Sequence, residues 1–381
     1  MSGSTKNAAF WQRKEYRKVI ASTPYMTRTE LSSGSQPLAL LLVGILSMVF
    51  AEALSGSSVL WFLSVWSWLV TLPLYWSHTL LFLNIAFRLR RTSISDLYLL
   101  GVLFGLYESW VTKVVWAGYF GQLPGWGTVL GFAVAEVPVI VFFWHPVMSF
   151  IVPILIFQII AVSTNGGRDV TQVVLPSHIR YLRRSKRTSI LFGIVFVGGA
   201  AFLSANSFLN VLAAGLTAVV SLLAIVLVTK LTKRRYGGQM SINSLKLGRP
   251  GFSVVTLYVL LLYIVTFPLL RPEAIPSPAT ILWTLCLYAL VAMLVLIDPA
   301  KDEISTTPPS PFRMITLRDV EYCFGALTLL IIIMCAVPII DSIVGSVLYL
   351  MILVLGPSLF VWTGAKAIAG RARKQMTGFA A

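Results

Sequence analysis

Residues 99–113 read LLGVLFGLYESWVTK, an apolar run that carries Glu108 and Lys113 in a segment long enough to cross a membrane. Two more ionisable residues, Glu136 and His145, lie in the next apolar run. An ionisable side chain at the centre of a membrane helix costs at least about 2.5 to 3.5 kcal/mol on insertion scales. These four residues are therefore the first candidates for a functional site, and the apolar runs around them decide the fold class.

The composition places the chain among multi-pass membrane proteins. Of its 381 residues, 57% are hydrophobic and 12% are charged. Crossing a hydrocarbon core about 30 Å thick takes roughly 20 apolar residues. The long apolar runs also lack the alternation that a membrane β-barrel strand requires. We therefore predict an all-α, polytopic transmembrane helix bundle of about ten spans. The predicted spans are Pro37–Leu54, Val59–Phe87, Leu97–Phe120, Thr128–Val162, Ser189–Leu203, Leu209–Val228, Phe252–Leu270, Ala279–Ile297, Val320–Ile340 and Val344–Ile368.

Basic residues indicate how the spans are oriented. If the N-terminus is cytoplasmic, the segments after the even-numbered spans are cytoplasmic too. Together with the N-terminal arm and Lys366 near the end of the tenth span, they account for all but two of the 30 Lys and Arg residues. The two exceptions are Lys113 and Arg271. Because positively charged loops stay on the cytoplasmic side, the pattern predicts a cell-membrane protein with both termini cytoplasmic. It also requires residues 128–162 to cross only once, as a kinked helix or with a re-entrant element.

The net charge of +16 comes mainly from these loops. We expect the basic cytoplasmic loops to contact anionic headgroups of membrane lipids, and we expect no nucleic acid partner. The three cysteines lie inside apolar spans without paired spacing, and the sequence contains no short metal-ligand spacing and no P-loop. The sequence therefore predicts neither a metal nor a cofactor, and it does not identify a substrate.

Ionisable residues are concentrated in the first four spans, whereas the later spans have none near mid-depth. We therefore predict a division of the chain into five segments. These are a basic cytoplasmic N-terminal arm at 1–36, transmembrane spans one to four with the polar site at 37–163, a basic cytoplasmic loop at 164–188, an accessory bundle of spans five to ten at 189–368, and a cytoplasmic tail at 369–381.

The candidate catalytic residues are Glu108, Glu136, His145 and Lys113. In the third span, Gly101 shares a helical face with Glu108, as does Gly105, and these glycines permit a neighbouring helix to approach closely. Lys113 lies about 140° around the helix from Glu108, so it either pairs with a carboxylate on another helix or extends outward. Pro138 and Pro146 loosen the fourth span, as is typical of helices that line a cavity.

The candidate binding residues are Glu52, Tyr75 and His78. The second span carries a polar stripe that ends at Tyr75 and His78. Such a stripe either supports interhelical hydrogen bonding or lines a pathway. Glu52 lies near the outer end of the first span, where it is either part of the site or an interfacial carboxylate.

Part of the sequence resembles a family of prokaryotic multi-pass membrane proteins whose function is uncharacterised. The segments that carry the resemblance are EALSGS at 52–57, the run at 99–113 and the later His145. The likeness covers about the first 160 residues. It implies a fold but no activity.

A second, weaker resemblance is to the CAAX-type intramembrane glutamate proteases. Their core motif is a Glu pair followed by a basic residue and then a Phe-x-x-x-His helix, and Glu108, Lys113 and His145 follow in that order. Ser109 replaces the second Glu, the spacing of Lys113 is altered, Val141 stands in place of the Phe, and a later His-x-x-x-Asn is missing. This resemblance implies a hydrolytic site.

Three functions are compatible with these residues. The first is an intramembrane enzyme in which Glu108 or Glu136 activates water and His145 orients it or relays the proton. The second is a transporter or permease with Glu108 and His145 as a proton- or cation-coupled site. The third is a non-catalytic membrane scaffold. Convergence of the carboxylates and the imidazole favours the first two, whereas a scattered arrangement favours the third.

Overall fold

The computed structural model describes residues 36–165, 170–237, 240–297 and 313–378. Residues 1–35, which form nearly all of the predicted N-terminal arm, lie outside the described residues. So do residues 166–169 of the predicted basic loop, and residues 379–381 of the predicted tail.

Most described residues are helical. The α-helices are α1 Gln36–Met48, α2 Leu72–Leu89, α3 Ile94–Gly105, α4 Tyr107–Trp110, α5 Val114–Ala117, α6 Val152–Thr164, α7 Val170–Val173, α8 Ile179–Leu182, α9 Lys186–Asn206, α10 Val211–Tyr236, α11 Arg249–Leu269, α12 Pro278–Ile297, α13 Leu317–Ala336 and α14 Pro338–Gly378. The π-helical segments Val49–Ala53, Ser67–Thr71 and Val137–Ile151 join α1, α2 and α6, and short 3₁₀ turns occupy Trp61–Leu63, Pro176–His178, Ile242–Leu245 and Pro272–Ala274. The strands β1 Thr128–Val129 and β2 Phe132–Ala133 pair antiparallel, with Thr128 opposite Ala133.

Within the described ranges, nine helices are long and apolar enough to cross a membrane. They correspond to nine of the ten predicted spans, and the prediction of an all-α transmembrane bundle is confirmed. The fourth predicted span begins with the β1–β2 hairpin and continues as one helix, Val137–Thr164. Its first half is π-helical around Pro138 and Pro146. Residues 128–162 therefore contain a single long helix.

The third predicted span, Leu97–Phe120, is not one long helix. α3 ends at Gly105, and Lys113 adopts a left-handed backbone with φ 61° before the single turn of α5. An interrupted helix inside a bundle needs partners for the backbone groups that the break releases. Arg271 donates hydrogen bonds to the carbonyl oxygens of Thr112, at 3.1 Å, and Gly118, at 2.8 Å. Arg271, one of the two cations outside the predicted cytoplasmic segments, therefore stabilises the break.

The other exceptional cation, Lys113, is fully buried beside the same break. Its Nζ donates a hydrogen bond to the carbonyl oxygen of Leu270 and lies 5.3 Å from the centroid of the Phe267 ring. Lys113 and Arg271 therefore bind main-chain carbonyl groups on each other's segment. This pairing explains why neither follows the charge pattern of the loops.

The segments predicted on the cytoplasmic side meet at one end of the bundle. His178 Nε2 lies 2.9 Å from the carbonyl oxygen of Thr92, and Asn84 Nδ2 donates to the carbonyl oxygen of Leu245 at 3.0 Å. Arg91 donates to the carbonyl oxygen of Leu296 at 2.7 Å. The alternation of loops along the chain thus agrees with the contacts, while the sidedness of the termini stays a prediction.

Candidate functional site

Close packing between α3 and the π-helical segment Val137–Ile151 positions the central residues. A Cβ atom on Gly101 would lie 2.5 Å from Pro146 Cα, and one on Gly105 would lie 3.1 Å from both His145 Cβ and Val141 Cα. A side chain at Gly101 would therefore overlap the backbone of the neighbouring helix, and one at Gly105 would press on it. The expectation that these glycines permit close approach is confirmed, and the approach brings His145 to the face that carries Glu108.

Glu108 and His145 form a direct buried pair. Glu108 Oε1 lies 3.0 Å from His145 Nε2, and the two side chains are only 9% and 3% exposed. Thr112 Oγ1 donates to the other carboxylate oxygen of Glu108, Oε2. A carboxylate only accepts hydrogen bonds, so Nε2 is the protonated nitrogen of His145 in this arrangement. Each Glu108 oxygen is fixed by a separate donor.

The opposite nitrogen of His145 contacts the hydroxyl group of Ser149, whose backbone is held by a second hydroxyl pair. His145 Nδ1 lies 3.0 Å from Ser149 Oγ, one helical turn along the same segment. Ser47 Oγ donates to the carbonyl oxygen of Ser149 at 2.6 Å and lies 2.7 Å from Thr79 Oγ1. Because Nε2 carries the ring proton, Ser149 donates to Nδ1. The imidazole is therefore held from both sides.

A second carboxylate approaches the pair through two tyrosines. Tyr75 OH donates to Glu52 Oε1 at 2.6 Å and lies 2.7 Å from Tyr107 OH. Since Tyr75 has a single hydroxyl proton, Tyr107 is the donor in the second bond. Ser58 Oγ donates to Glu52 Oε2 at 2.8 Å, and the Tyr75 ring stacks on His145 at 6.0 Å. Glu52 is therefore connected to the site rather than isolated at an interface.

The two segments that carry Glu52 and His145 share an unusual backbone. Glu52 lies in the π-helical turn Val49–Ala53, and His145 lies in a π-helical run. Trp144 Nε1 donates to the carbonyl oxygen of Ala51 at 2.9 Å, which ties the two segments together. π-helical turns occur frequently at functional sites, where they shift the direction in which side chains project.

His78 is a satisfied packing residue beside the site. Its Nδ1 lies 2.7 Å from the carbonyl oxygen of Leu74, and its Nε2 lies 3.0 Å from Tyr263 OH. The ring of Phe104 stacks on His78 at 5.1 Å and also lies 5.6 Å from His145. Phe104 thus contacts both imidazoles, and the binding role assigned to His78 stays a prediction.

Two of the predicted catalytic residues lie apart from this cluster. Glu136 is 4% exposed, and its Oε1 accepts a hydrogen bond from the backbone N–H of Gly125 at 2.9 Å, in the loop before β1. Among the described residues, no side chain or backbone group bonds to Glu136 Oε2. Lys113 contacts the Leu270 carbonyl group rather than a carboxylate, and it does not extend outward. The structure therefore brings together Glu52, Tyr75, Glu108 and His145.

Several residues of the cluster were not singled out as site residues from the sequence. They are Ser47, Ser58, Thr79, Tyr107 and Ser149. Only two carried a local signal, because Tyr107 precedes Glu108 and Ser149 lies four residues after His145. The others reach the site from separate helices. In the part of the chain that the structure describes, no group of three His, Cys, Asp or Glu side chains is arranged to hold a metal ion.

Comparisons with known proteins agree with the membrane fold. A family model described as "Uncharacterized membrane protein family" matches residues 41–376. An uncharacterized protein of Archaeoglobus fulgidus is 41% identical over 125 residues, which is 33% of this chain and 39% of the archaeal protein. No solved structure matches the chain. Since the family model covers most of the sequence, the resemblance to an uncharacterised membrane family is confirmed: the chain belongs to this uncharacterized membrane protein family.

Proposed function

We propose that the protein is an intramembrane hydrolase-like enzyme whose acid–base pair is Glu108 and His145. The observation that carries the proposal is the 3.0 Å contact between Glu108 Oε1 and His145 Nε2, made by residues 37 positions apart inside an apolar bundle. Carboxylates and imidazoles are expensive to bury in such surroundings, so their convergence indicates a chemical role.

The contacts support a division of roles between the two residues. Glu108 accepts a proton from water, and the hydroxide oxygen adds to the substrate carbonyl carbon. His145 passes its Nε2 proton to the leaving group as the bond between that group and the carbonyl carbon breaks, and the proton that Glu108 took from water replaces it on Nε2. The hydrogen bonds from Thr112 to Glu108 and from Ser149 to His145 fix the orientation of the carboxylate and the imidazole. The likeness to the glutamate proteases, in which a Glu is followed by a His on the next helix, supports the same pair.

Ser149 offers a different nucleophile for the same reaction class. Its hydroxyl lies on the ring nitrogen opposite Glu108, so the order serine, histidine, carboxylate matches that of an activated serine. Ser149 is fully buried, however, which favours a positioning role and leaves water as the nucleophile.

The test uses the full chain reconstituted in lipid vesicles with a pool of single-span membrane peptides and acyl-ester lipids in ¹⁸O-labelled water. We expect ¹⁸O-labelled hydrolysis products, reduced at least about 100-fold by Glu108→Gln or His145→Gln. Glu273→Gln is the matched control, because that carboxylate is 72% exposed. A Ser149→Ala loss equal to that of His145→Gln would move the nucleophile from water to Ser149. Labelled products that persist in Glu108→Gln would refute the proposed site.

A second candidate is proton-coupled transport, which is favoured by the hydrogen-bonded series from Tyr107 through Tyr75 to Glu52. Such a series can pass protons between a buried site and the Ser58 loop. The same vesicles, loaded with a pH-sensitive dye, report proton uptake after an external acid pulse. Uptake that Tyr75→Phe and Glu52→Gln abolish, without hydrolysis products, would support transport over hydrolysis.

A further inference from the structure

The segment between α5 and the helix Val137–Thr164 is apolar, yet none of the nine long helices in the described ranges includes it. From residue 114 to residue 135 the sequence has no charged side chain. Residues 118–133, which we call the apolar hairpin, comprise a loop and the strands β1 and β2. Because they follow the third predicted span, we assign them to the end of the bundle opposite the basic loops.

The large hydrophobic side chains of the apolar hairpin point away from the protein. Leu123 is 91% exposed. The hairpin exposes five further large side chains: Tyr119, Phe120, Trp126, Val129 and Leu130. The main chain is open as well, since nothing lies within 4 Å of a Cβ added at Gly121 or Gly127. A concentration of exposed apolar side chains marks an interaction surface, because covering it with water costs free energy.

Two of these side chains project from backbone positions that side chains rarely occupy. Leu130 has φ 54° and precedes Gly131 at φ 82°, and the two residues connect β1 to β2. Trp126 has φ 61°. Two-residue hairpin turns with positive φ at both positions usually contain Asn-Gly or Asp-Gly, so a leucine here takes the place of a polar residue. Backbone strain that displays apolar side chains indicates a surface formed for apolar contact.

The backbone of the apolar hairpin makes its hydrogen bonds within the protein. The N–H of Gly125 donates to Glu136 Oε1 at 2.9 Å. The N–H groups of Val134 and Ala135 donate to the carbonyl oxygens of Gly127, at 3.1 Å, and Gly125, at 3.3 Å, beside the paired strands β1 and β2. These groups are therefore satisfied without water, as immersion in hydrocarbon requires.

The apolar hairpin adjoins a surface that already faces lipid. Gly131 packs so tightly against Thr280, near the start of α12, that an added Cβ would overlap the threonine side chain. α12 is one of the nine candidate membrane spans, and it exposes Leu282 two residues beyond Thr280. The Arg271 guanidinium lies 4.5 Å from the centroid of the Phe120 ring, which ties the start of the hairpin to the connection before α12. The exposed side chains of the hairpin therefore continue the lipid-facing surface of the bundle.

We propose that the apolar hairpin binds the lipid bilayer, with Leu123, Trp126 and Leu130 inserted among the acyl chains of the adjoining leaflet. Tryptophan is enriched at membrane interfaces, and leucine gains free energy on transfer from water to hydrocarbon. Since the hairpin has no charged side chain, its insertion has no charge to desolvate. The inference concerns a different surface from the Glu108 site and does not depend on the chemistry there.

The test places one nitroxide label at a time on the full chain in phosphatidylcholine vesicles, with the three native cysteines replaced by alanine. Leu123→Cys and Trp126→Cys carry the label on the hairpin. Leu282→Cys is the matched lipid control on α12, and Glu273→Cys, at a side chain that is 72% exposed, is the matched water control at the same end of the bundle. Electron paramagnetic resonance measures collisions of the label with oxygen, which concentrates in hydrocarbon, and with a polar nickel complex, which stays in water.

We expect the ratio of oxygen collisions to nickel-complex collisions at Leu123→Cys and Trp126→Cys to exceed that at Glu273→Cys by about tenfold or more, because hydrocarbon excludes a polar complex. The ratio should approach that at Leu282→Cys. Leu123 and Trp126 are exposed, so their replacement removes little packing and the labelled chains should fold.

Two results would overturn the proposal. A ratio equal to that at Glu273→Cys would show that the apolar hairpin lies in water. Labels at Leu123→Cys and Trp126→Cys that are shielded from both reagents would show that protein covers the hairpin instead of lipid. In that case, broadening of the spectrum by a neighbouring label would identify a second copy of the chain as the partner, and a spectrum without broadening would identify a different protein segment.

Discussion

The helix Val137–Thr164 and the helix α11 are similarly apolar in sequence, yet their surroundings are opposite. In the most apolar 18-residue window of each, 83% of Val137–Thr164 is buried inside the protein, against 6% of α11. α11 presents large hydrophobic side chains such as Leu257, Leu260 and Leu261 at its surface. Hydrocarbon can cover such side chains as well as protein can, so apolarity alone does not decide which helix is central.

The difference between the two helices lies in close packing and in polar partners. Val137–Thr164 meets α3 at glycines and carries His145 and Ser149 into a hydrogen-bonded cluster. Polar groups in a bilayer must find partners within the protein, whereas apolar groups need none. The helices that carry polar side chains are therefore drawn to the centre.

The largest expected effect comes from breaking the glycine contact. Gly101→Ala places a Cβ 2.5 Å from Pro146 Cα, so it forces α3 away from the helix that carries His145. We expect a loss of about 3 kcal/mol in the free energy of unfolding, measured by thermal or denaturant unfolding in detergent.

The matched control is Gly345→Ala in α14, where nothing lies within 4 Å of an added Cβ. A helical alanine there should be neutral or should stabilise the protein by about 0.4 to 1 kcal/mol. If the two substitutions had equal effects, the claimed difference between the central and peripheral helices would be wrong.

A double-mutant cycle sharpens the comparison between buried and exposed charges. Glu108→Gln and His145→Gln together should show a coupling energy of about 1 to 3 kcal/mol, because each leaves the other buried without its hydrogen-bonding partner. The reference cycle uses Arg184→Gln and Asp319→Asn, whose ion pair of 3.6 Å is 53% and 25% exposed. Its coupling should stay below about 1 kcal/mol. A smaller coupling for the buried pair than for the surface pair would contradict the site geometry.

The smallest expected effect is a pH dependence of stability that comes from His178, which lies in a loop outside the candidate spans. Burial lowers the pKa of His178 to about 4, although its bond to Thr92 acts in the opposite direction. In the unfolded chain a histidine titrates near pH 6.5. Between these values the unfolded state binds more protons, so this contribution to stability is complete above about pH 6.5 and is lost as the pH falls towards 4.

We therefore expect the free energy of unfolding to fall by about 1 kcal/mol per pH unit across this window through His178. His178→Gln cannot take up a proton, so its stability should change less with pH than that of the wild type. Unfolding curves at pH 4.5, 5.5 and 6.5 provide the measurement. Parallel pH dependence in both proteins would show that His178 is not held neutral by its burial.

Much of the fold could be read from the sequence because each span is a local pattern. Nine predicted spans are long helices, and the break in the third depends on contacts that have no local signal. Lys113 and Arg271 were visible only as exceptions to the charge pattern, and their binding to main-chain carbonyl groups requires segments 157 and 159 residues apart to meet.

The candidate site was predicted only in part for the same reason. Glu52, Tyr75, Glu108 and His145 stood out because ionisable and phenolic side chains are conspicuous in apolar sequence. Serine and threonine hydroxyls in membrane helices usually bond to the carbonyl group one turn earlier, so Ser47 and Thr79 gave no signal. Glu136 was as conspicuous as Glu108, yet it bonds to the backbone of Gly125 instead.

The sequence by itself determined that this is a multi-pass helical membrane protein with unusually polar early spans. The length, apolarity and charge of a span are properties of a local stretch of sequence and do not depend on which other spans it contacts. Only the tertiary structure decided which polar groups meet: Glu108 with His145, Glu52 with Tyr75, and Lys113 with the Leu270 carbonyl group. The physical reason is that helix apolarity is satisfied by lipid on any side, whereas a buried hydrogen-bonding group is satisfied only by a partner at about 3 Å.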